Sequence, residues 1–352
     1  MAERDTAPFG VALIGLGMVA GTHARALAEL APDIAVRGVL SRSPDRARAF
    51  AADHALADAR IYQDVAEIAA DADVDAAIVL TPPNARIEIV EALAAAGKHL
   101  LLEKPVERTT AAAAEIVRRA EDAGVTLGIV FQHRMREGAG HLRQLLAEGA
   151  LGQIGLVEID VPWWRDQSYY DAPGRGTYAR DGGGVLISQA IHTLDLVLSL
   201  AGPVAEVQAM AATTRFHRME AEDFVAAGLT FASGAVGALG ASTASFPGGA
   251  EGFTLHGEAG SATLRGDTLT LHWRDGRVEE TGATEGTGGG ADPMAFPHGW
   301  HRDLIADFAE AARTGRPPVC PGREALRVHA LIDALTLSAR EGRRVAVEEP
   351  GP

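Results

Sequence analysis

The first third of the chain alternates between short apolar runs and helical patterns. An apolar run at 11–14 leads into Gly15-Leu16-Gly17-Met18-Val19-Ala20, and a helical pattern opens near Gly21 and covers 22–30. Residues 34–40 read as a second strand. A helix follows over 44–52, with Ser43 as its N-cap and Pro44 at its first position. The continuous apolar run at 74–80 predicts a strand buried on both faces, left through Thr81-Pro82-Pro83-Asn84. Helix over 86–96, strand over 99–102, helix over 110–123 and strand over 127–131 complete the pattern. Strands that alternate with helices across short connections predict a doubly wound parallel sheet.

After Phe131 the alternation stops, which divides the chain into 8–131 and 132–349. The second part predicts helices at 137–148 and 185–200, the latter entered from Gly182-Gly183-Gly184, and a strand at 155–161. Strand-like runs follow at 204–212, 224–231, 234–243, 252–256, 262–265 and 269–273, separated by tight turns. That spacing predicts an α+β domain with an open, largely antiparallel sheet. The glycine-rich stretch 282–292 reads as a loop, and helices at 300–314 and 323–341 close the chain.

Composition narrows the partners. A net charge of −15 repels polyanions, so neither nucleic acid nor an anionic membrane is an expected partner. No apolar run reaches the roughly 18 residues needed to cross a bilayer. The polar start of the chain does not read as a signal peptide, and the single cysteine, Cys320, fits a reducing compartment, so the expected location is cytoplasmic. His298 and His301 are three residues apart, but the sequence near them completes no carboxylate or thiolate set, and no catalytic metal is expected.

Strand, glycine turn and helix together form a site for a pyrophosphate. The glycines let backbone approach the phosphates, and the helix N-terminus supplies free N–H groups and partial positive charge. Ligands of such sheets lie at the carboxyl ends of the strands. The candidate cofactor residues are therefore Gly15, Leu16, Gly17, Met18 and Val19, then Ser41, Arg42 and Arg46, then Thr81, Pro82, Pro83 and Asn84, then Glu103 and Lys104, and finally Gln132. The second strand end carries no carboxylate to repel a 2′-phosphate and offers two arginines, which favours NADP over NAD. An alternative leaves Arg42 on the adenine face and Arg46 in solvent.

These motifs, together with Gly182-Gly-Gly-Val-Leu-Ile-Ser-Gln-Ala-Ile-His192-Thr-Leu-Asp195, resemble the glucose–fructose oxidoreductase / inositol dehydrogenase / rhizopine-catabolism (Gfo/Idh/MocA) family along nearly the whole chain. The resemblance implies an N-terminal NAD(P)-binding Rossmann domain and a C-terminal domain that binds substrate and mediates oligomerisation, as a homodimer or homotetramer. It also implies a cis peptide at Lys104–Pro105 and hydride transfer between nicotinamide and a carbinol carbon of a sugar, inositol or related cyclic diol. Two positions depart from the family pattern. Ser188 stands where many members have a carboxylate four residues before the helix histidine, and Arg86 stands where members often have histidine.

Lys104, at a strand end, suits polarisation of a carbonyl or stabilisation of an alkoxide. His192 has the ordinary pKa for proton transfer near neutrality, with Ser188 one α-helical turn before it and Asp195 three residues after it. Trp163, Arg165 and Tyr178 lie in an aromatic, arginine-bearing segment that suits a polyhydroxylated ring substrate or, equally, an oligomer interface. The segment 296–301 reads either as a cleft border or as a helix start. Two rival functions remain open at the level of sequence. One is a glycosidase that retains NAD and uses transient oxidation. The other is a non-catalytic dinucleotide sensor, against which Lys104 and His192 speak.

Overall fold

The structure, a computed structural model, describes residues 7–282, 294, 296–349 and 351. The stretch expected as a loop at 282–292 falls, beyond Gly282, outside the described residues. The chain divides into two compact units. The first takes the chain up to Glu107 together with Ala111–Val130 and His298–Arg323, and the second takes Arg108–Thr110, Phe131–Pro297 and the chain from Glu324 on.

In the first unit, β1 (Phe9–Ile14), β2 (Ile34–Leu40), β3 (Arg60–Tyr62), β4 (Ala76–Val79), β5 (His99–Glu103) and β6 (Leu127–Val130) pair in parallel in the order β3-β2-β1-β4-β5-β6. Every residue of β1, β4 and β6 is buried, as the continuous apolar runs predict for a sheet covered on both faces. Helices α1 (Ala20–Glu29), α2 (Pro44–Asp53), α3 (Val65–Ala70), α4 (Ile87–Ala95) and α5 (Thr110–Asp122) fall between the strands. Ser43 caps α2 through a bond from the Arg46 amide, 3.3 Å. The Lys104–Pro105 peptide is cis, as the resemblance implied.

The second unit holds α6 (Glu137–Ala147), β7 (Ile154–Pro162), a short α7 (Gln167–Tyr170), α8 (Ile191–Ala201) and the strands β8 (Val204–Ala212), β9 (Phe224–Phe231), β10 (Val236–Ser242), β11 (Gly252–Gly257), β12 (Gly260–Arg265), β13 (Thr268–Trp273) and β14 (Val278–Thr281). With β15 (Val345–Ala346) the strands form one sheet, ordered β14-β13-β12-β11-β7-β10-β9-β8-β15. All pairings are antiparallel except β7 with β10, so the sheet is open, mixed and largely antiparallel. Along β7, Val157, Ile159 and Val161 are buried while Leu156, Glu158 and Asp160 face out, the alternation of a sheet covered on one face.

The closing helices are α9 (Gly299–Thr314) and α10 (Gly322–Glu341). The sequence assigned 132–349 to one domain, whereas α9 lies in the first unit. Its contacts explain this. The Phe308 ring sits 3.0 Å from where a Cβ on Gly128 of β6 would stand, and the His301 ring meets His23 of α1 edge-on at 5.0 Å.

Candidate active site

The glycine turn has the shape its sequence requires. Gly15 takes a φ of +91°, and a Cβ there would lie 2.9 Å from the Thr81 amide nitrogen, so any side chain would push the turn off the end of β4. At Gly17 a Cβ would meet nothing within 4 Å, which leaves bare backbone open for close approach by a phosphate. The turn and the start of α1 thus fit a dinucleotide pyrophosphate. Parallel pairing sets the ends of β2, β1, β4 and β5 side by side along one edge.

Ser41 is half-buried, and Arg42 is exposed beside it. Arg46 lies against the glycine turn. Its Nη2 donates to the Leu16 carbonyl at 2.5 Å, so in this structure it braces the glycine turn. Thr81 is half-buried, Pro82 and Asn84 are exposed, and Pro83 is packed inward.

Lys104 is half-buried immediately beyond β5. Its backbone amide donates to Glu103 Oε2 at 3.2 Å, and His23 Nε2 lies 2.9 Å from Glu103 Oε1. The hydrogen bond and charge of His23 hold the Glu103 carboxyl below the usual range although burial opposes this. Thus Glu103, expected among the cofactor residues, spends its carboxylate on the backbone of Lys104 and on α1. His301 completes a buried trio with His23 and Glu103, their donor atoms within 4.8 Å of one another. Burial pushes the His301 imidazole down to about 3, so it is neutral at working pH. The sequence did not foresee this set, because its members come from α1, β5 and α9. His298, by contrast, pairs with Glu29 of α1 at 2.6 Å, and Trp300 is buried, so this segment ties the start of α9 to α1.

In the second unit, His192 is 6% exposed and stacks on His133, with ring centroids 4.7 Å apart and planes 29° apart. Phe131 meets it edge-on at 6.1 Å. His133 Nε2 lies 2.8 Å from Arg136 Nη2, which is always a donor, so that ring nitrogen accepts. Arg136 also bonds Glu251, whose other oxygen accepts the Trp163 indole N–H at 2.9 Å. A chain of buried groups therefore runs from His192 to Trp163. Gln132 is buried just before His133. Of this chain, the sequence singled out His192, Trp163 and the strand end that carries His133, and it missed Arg136 and Glu251.

The helix carrying His192 is not α-helical throughout. Residues Leu186–Ala190 form a π-helical turn, and α8 starts only at Ile191. Ser188, half-buried within that turn, is therefore not related to His192 by ordinary α-helical spacing. Asp195 is neither a partner of His192 nor solvated. It is buried and held by Arg134. Glu222 accepts the amides of Gly184 and Leu186 at 3.2 and 3.1 Å and so caps the entry to this helix.

Arg165 is buried, its guanidinium carbon 5.1 Å from the Trp163 ring and 5.7 Å from that of Tyr169. Arg175 covers Tyr169 at 4.8 Å. Tyr178 is 46% exposed, its ring beside Gly183. Burial and the nearby carboxylates of Glu222 and Glu220 push its phenol up.

Residues 9–131 match the family described as oxidoreductases with an NAD-binding Rossmann fold, and residues 140–263 match the GFO/IDH/MocA C-terminal domain. The chain is 28% identical to D-apiose dehydrogenase of Paraburkholderia graminis over 97% of this chain and 90% of that protein. It is 31% identical to 1,5-anhydro-D-fructose reductase of Ensifer adhaerens over 64% of this chain and 67% of that protein. The WlbA dehydrogenase of Bordetella pertussis, solved with NADH and UDP-GlcNAcA, superposes with a TM-score of 0.81 at 28% identity, covering 97% of this chain and 99% of that one.

Proposed function

The chain belongs to the Gfo/Idh/MocA oxidoreductases, and from that premise we propose that this NAD-binding enzyme transfers hydride between nicotinamide and a carbinol carbon of a sugar, inositol or related cyclic diol. The observation that carries this reading is the placement of Lys104. Its backbone is tied to a buried carboxylate at the end of β5, on the same edge of the sheet as the glycine turn and separated from it by β4. The sugar-directed activities in the names of the apiose and anhydrofructose enzymes support the substrate class.

The residues act as follows in this reading. Gly15 through Val19 hold the pyrophosphate, Ser41 and Arg42 the adenosine ribose, and Thr81 to Asn84 with Glu103 and Gln132 line the remainder. When bound, the nicotinamide supplies the hydride acceptor or donor. Lys104 stabilises the oxygen that changes charge, and the His192 imidazole takes the hydroxyl proton in oxidation and returns it in reduction. Ser188, Trp163, Arg165 and Tyr178 are assigned to the substrate. Exposed Arg42, with no carboxylate at 41–43, supports acceptance of NADP as well as NAD. The outward Leu156, Met210 and Val236 on the nine-stranded sheet support assembly as a homodimer or homotetramer.

A panel of sugars, inositols and cyclic diols, followed by nicotinamide absorbance with NAD⁺ and NADP⁺ in parallel, tests the proposal. Turnover of at least one such substrate is expected. Cofactor bound without turnover of any substrate would support the sensor instead. Release of a sugar from a chromogenic glycoside without net cofactor reduction would support the glycosidase.

A further inference from the structure

Arg86 is 2% exposed, the largest fully buried side chain among the described residues. Sequence alone marked it only as a departure at the start of α4. Its side chain makes no use of a carboxylate. Nε and Nη2 donate to the Thr81 carbonyl at 3.0 and 2.7 Å, while Nη1 donates to the carbonyls of Glu103 and Pro105 and, at 3.4 Å, to that of Val106. Thr81 closes β4, and residues 103–106 are the strand end on which Lys104 rides. Thr81 is also the residue whose amide abuts Gly15. One guanidinium thus joins the glycine turn, the end of β4 and the backbone on both sides of Lys104.

We propose that Arg86 is a positioning residue that fixes Lys104 by holding the carbonyls of the Glu103–Val106 segment against the end of β4. The inference rests on the role given to Lys104 above. A guanidinium suits this task because its donors form a rigid planar fork, so several carbonyls are held at defined angles by one group. An ammonium is a point charge on a flexible stem and imposes no such angles. Burial lowers the Arg86 pKa to about 10, opposed by the nearby carboxylates of Glu103 and Glu107, so the fork keeps its full donor set at neutral pH. Displacing a reacting group by about 1 Å costs on the order of a hundredfold in rate, so a backbone clamp at this point acts on kcat.

The test uses the full-length chain as Arg86→Lys, Arg86→Met, Lys104→Met and the double variant Arg86→Lys/Lys104→Met. Urea unfolding identifies which variants fold, and the lysine variant, which keeps charge and length, is the one expected to survive. In Arg86→Lys, kcat is expected to fall about tenfold to a hundredfold while the cofactor KM changes less than about threefold. In the Lys104→Met background the same change is expected to have almost no further effect, because a residue that acts through Lys104 has nothing left to position. Amide hydrogen exchange over residues 103–107 is expected to speed up at least tenfold in folded Arg86→Lys, a readout independent of turnover. Unchanged exchange or unchanged kcat in folded Arg86→Lys overturns the proposal. So does an equal loss in both backgrounds, which is the signature of a purely structural role. Normal turnover in Lys104→Met instead removes the catalytic assignment of Lys104 and with it the route through which Arg86 acts.

Discussion

Arg134 grips Asp195 through two parallel bonds, Nε to Oδ2 and Nη2 to Oδ1, each 2.8 Å. Arg134 also reaches Glu324 at 2.8 Å, so the loop after β6, α8 and α10 are joined by one buried cation. Burial raises the Asp195 pKa, and Arg134 opposes the rise. Breaking one partner of a buried pair leaves an uncompensated charge. Asp195→Asn is expected to lose about 3 kcal/mol of stability in urea unfolding. The pH dependence of kcat is expected to stay in place, since Asp195 serves Arg134 and not His192. A displaced acid limb with normal stability would reverse that assignment.

Lys104→Met and His192→Ala test the chemistry directly. Loss of a group that stabilises or transfers charge in the transition state costs about 10²–10⁴ in kcat. Each variant is expected to show a loss in this range with an unchanged circular dichroism spectrum. Near-normal turnover in either would remove that residue from the mechanism.

Glu103→Gln keeps the shape at the end of β5 but removes the anion that His23 and the Lys104 amide share. The depressed Glu103 pKa means that the ionised form stabilises the fold above the ordinary carboxylate pKa. At pH 7 the substitution is expected to cost about 2 kcal/mol, read from chemical unfolding. The difference between the two proteins should shrink as pH drops through the carboxylate range. A difference independent of pH would assign the loss to packing.

His301 adds a pH dependence of the same sign in a higher pH window. Its folded-state pKa of about 3 lies below the ordinary 6.5. Above pH 6.5 the imidazole is neutral in both folded and unfolded chains and contributes no slope. Below it the unfolded chain binds a proton that the folded chain refuses, so stability falls by up to about 1.4 kcal/mol per pH unit. Between pH 6 and 5, above the titration of Glu103, His301→Gln is expected to flatten the stability profile relative to the parent chain. Identical slopes would mean that the site charges without cost.

The features legible in the sequence are those carried by neighbours in the chain. The glycine turn, the Ser43 cap and the Glu-Lys-Pro step each declare themselves within six residues, and the buried strands follow from unbroken apolar runs. What stayed hidden depends on distant partners. His23 meets Glu103 across 80 residues, and Arg134 meets Asp195 across 61. No local pattern told Asp195 from a solvated helix residue. The bond from Arg46 to the Leu16 carbonyl spans 30 residues, and nothing in its local sequence foretold it. The short β3 and α3 escaped notice because three and six residues cannot establish a period.

The π-helical turn at Leu186–Ala190 carries one residue more than an α-helical path of the same rise would use. It therefore defines where this segment tolerates a deletion, and at what price. Removing a single residue there would let the turn relax to ordinary α-helix without breaking either end. Because four α-helical residues turn through nearly the same angle as these five, the Gly182–Gly184 entry and the Glu222 cap would keep their direction relative to His192. A shortened chain of this kind would therefore keep the two halves of the segment in phase and lose only the widened turn between them.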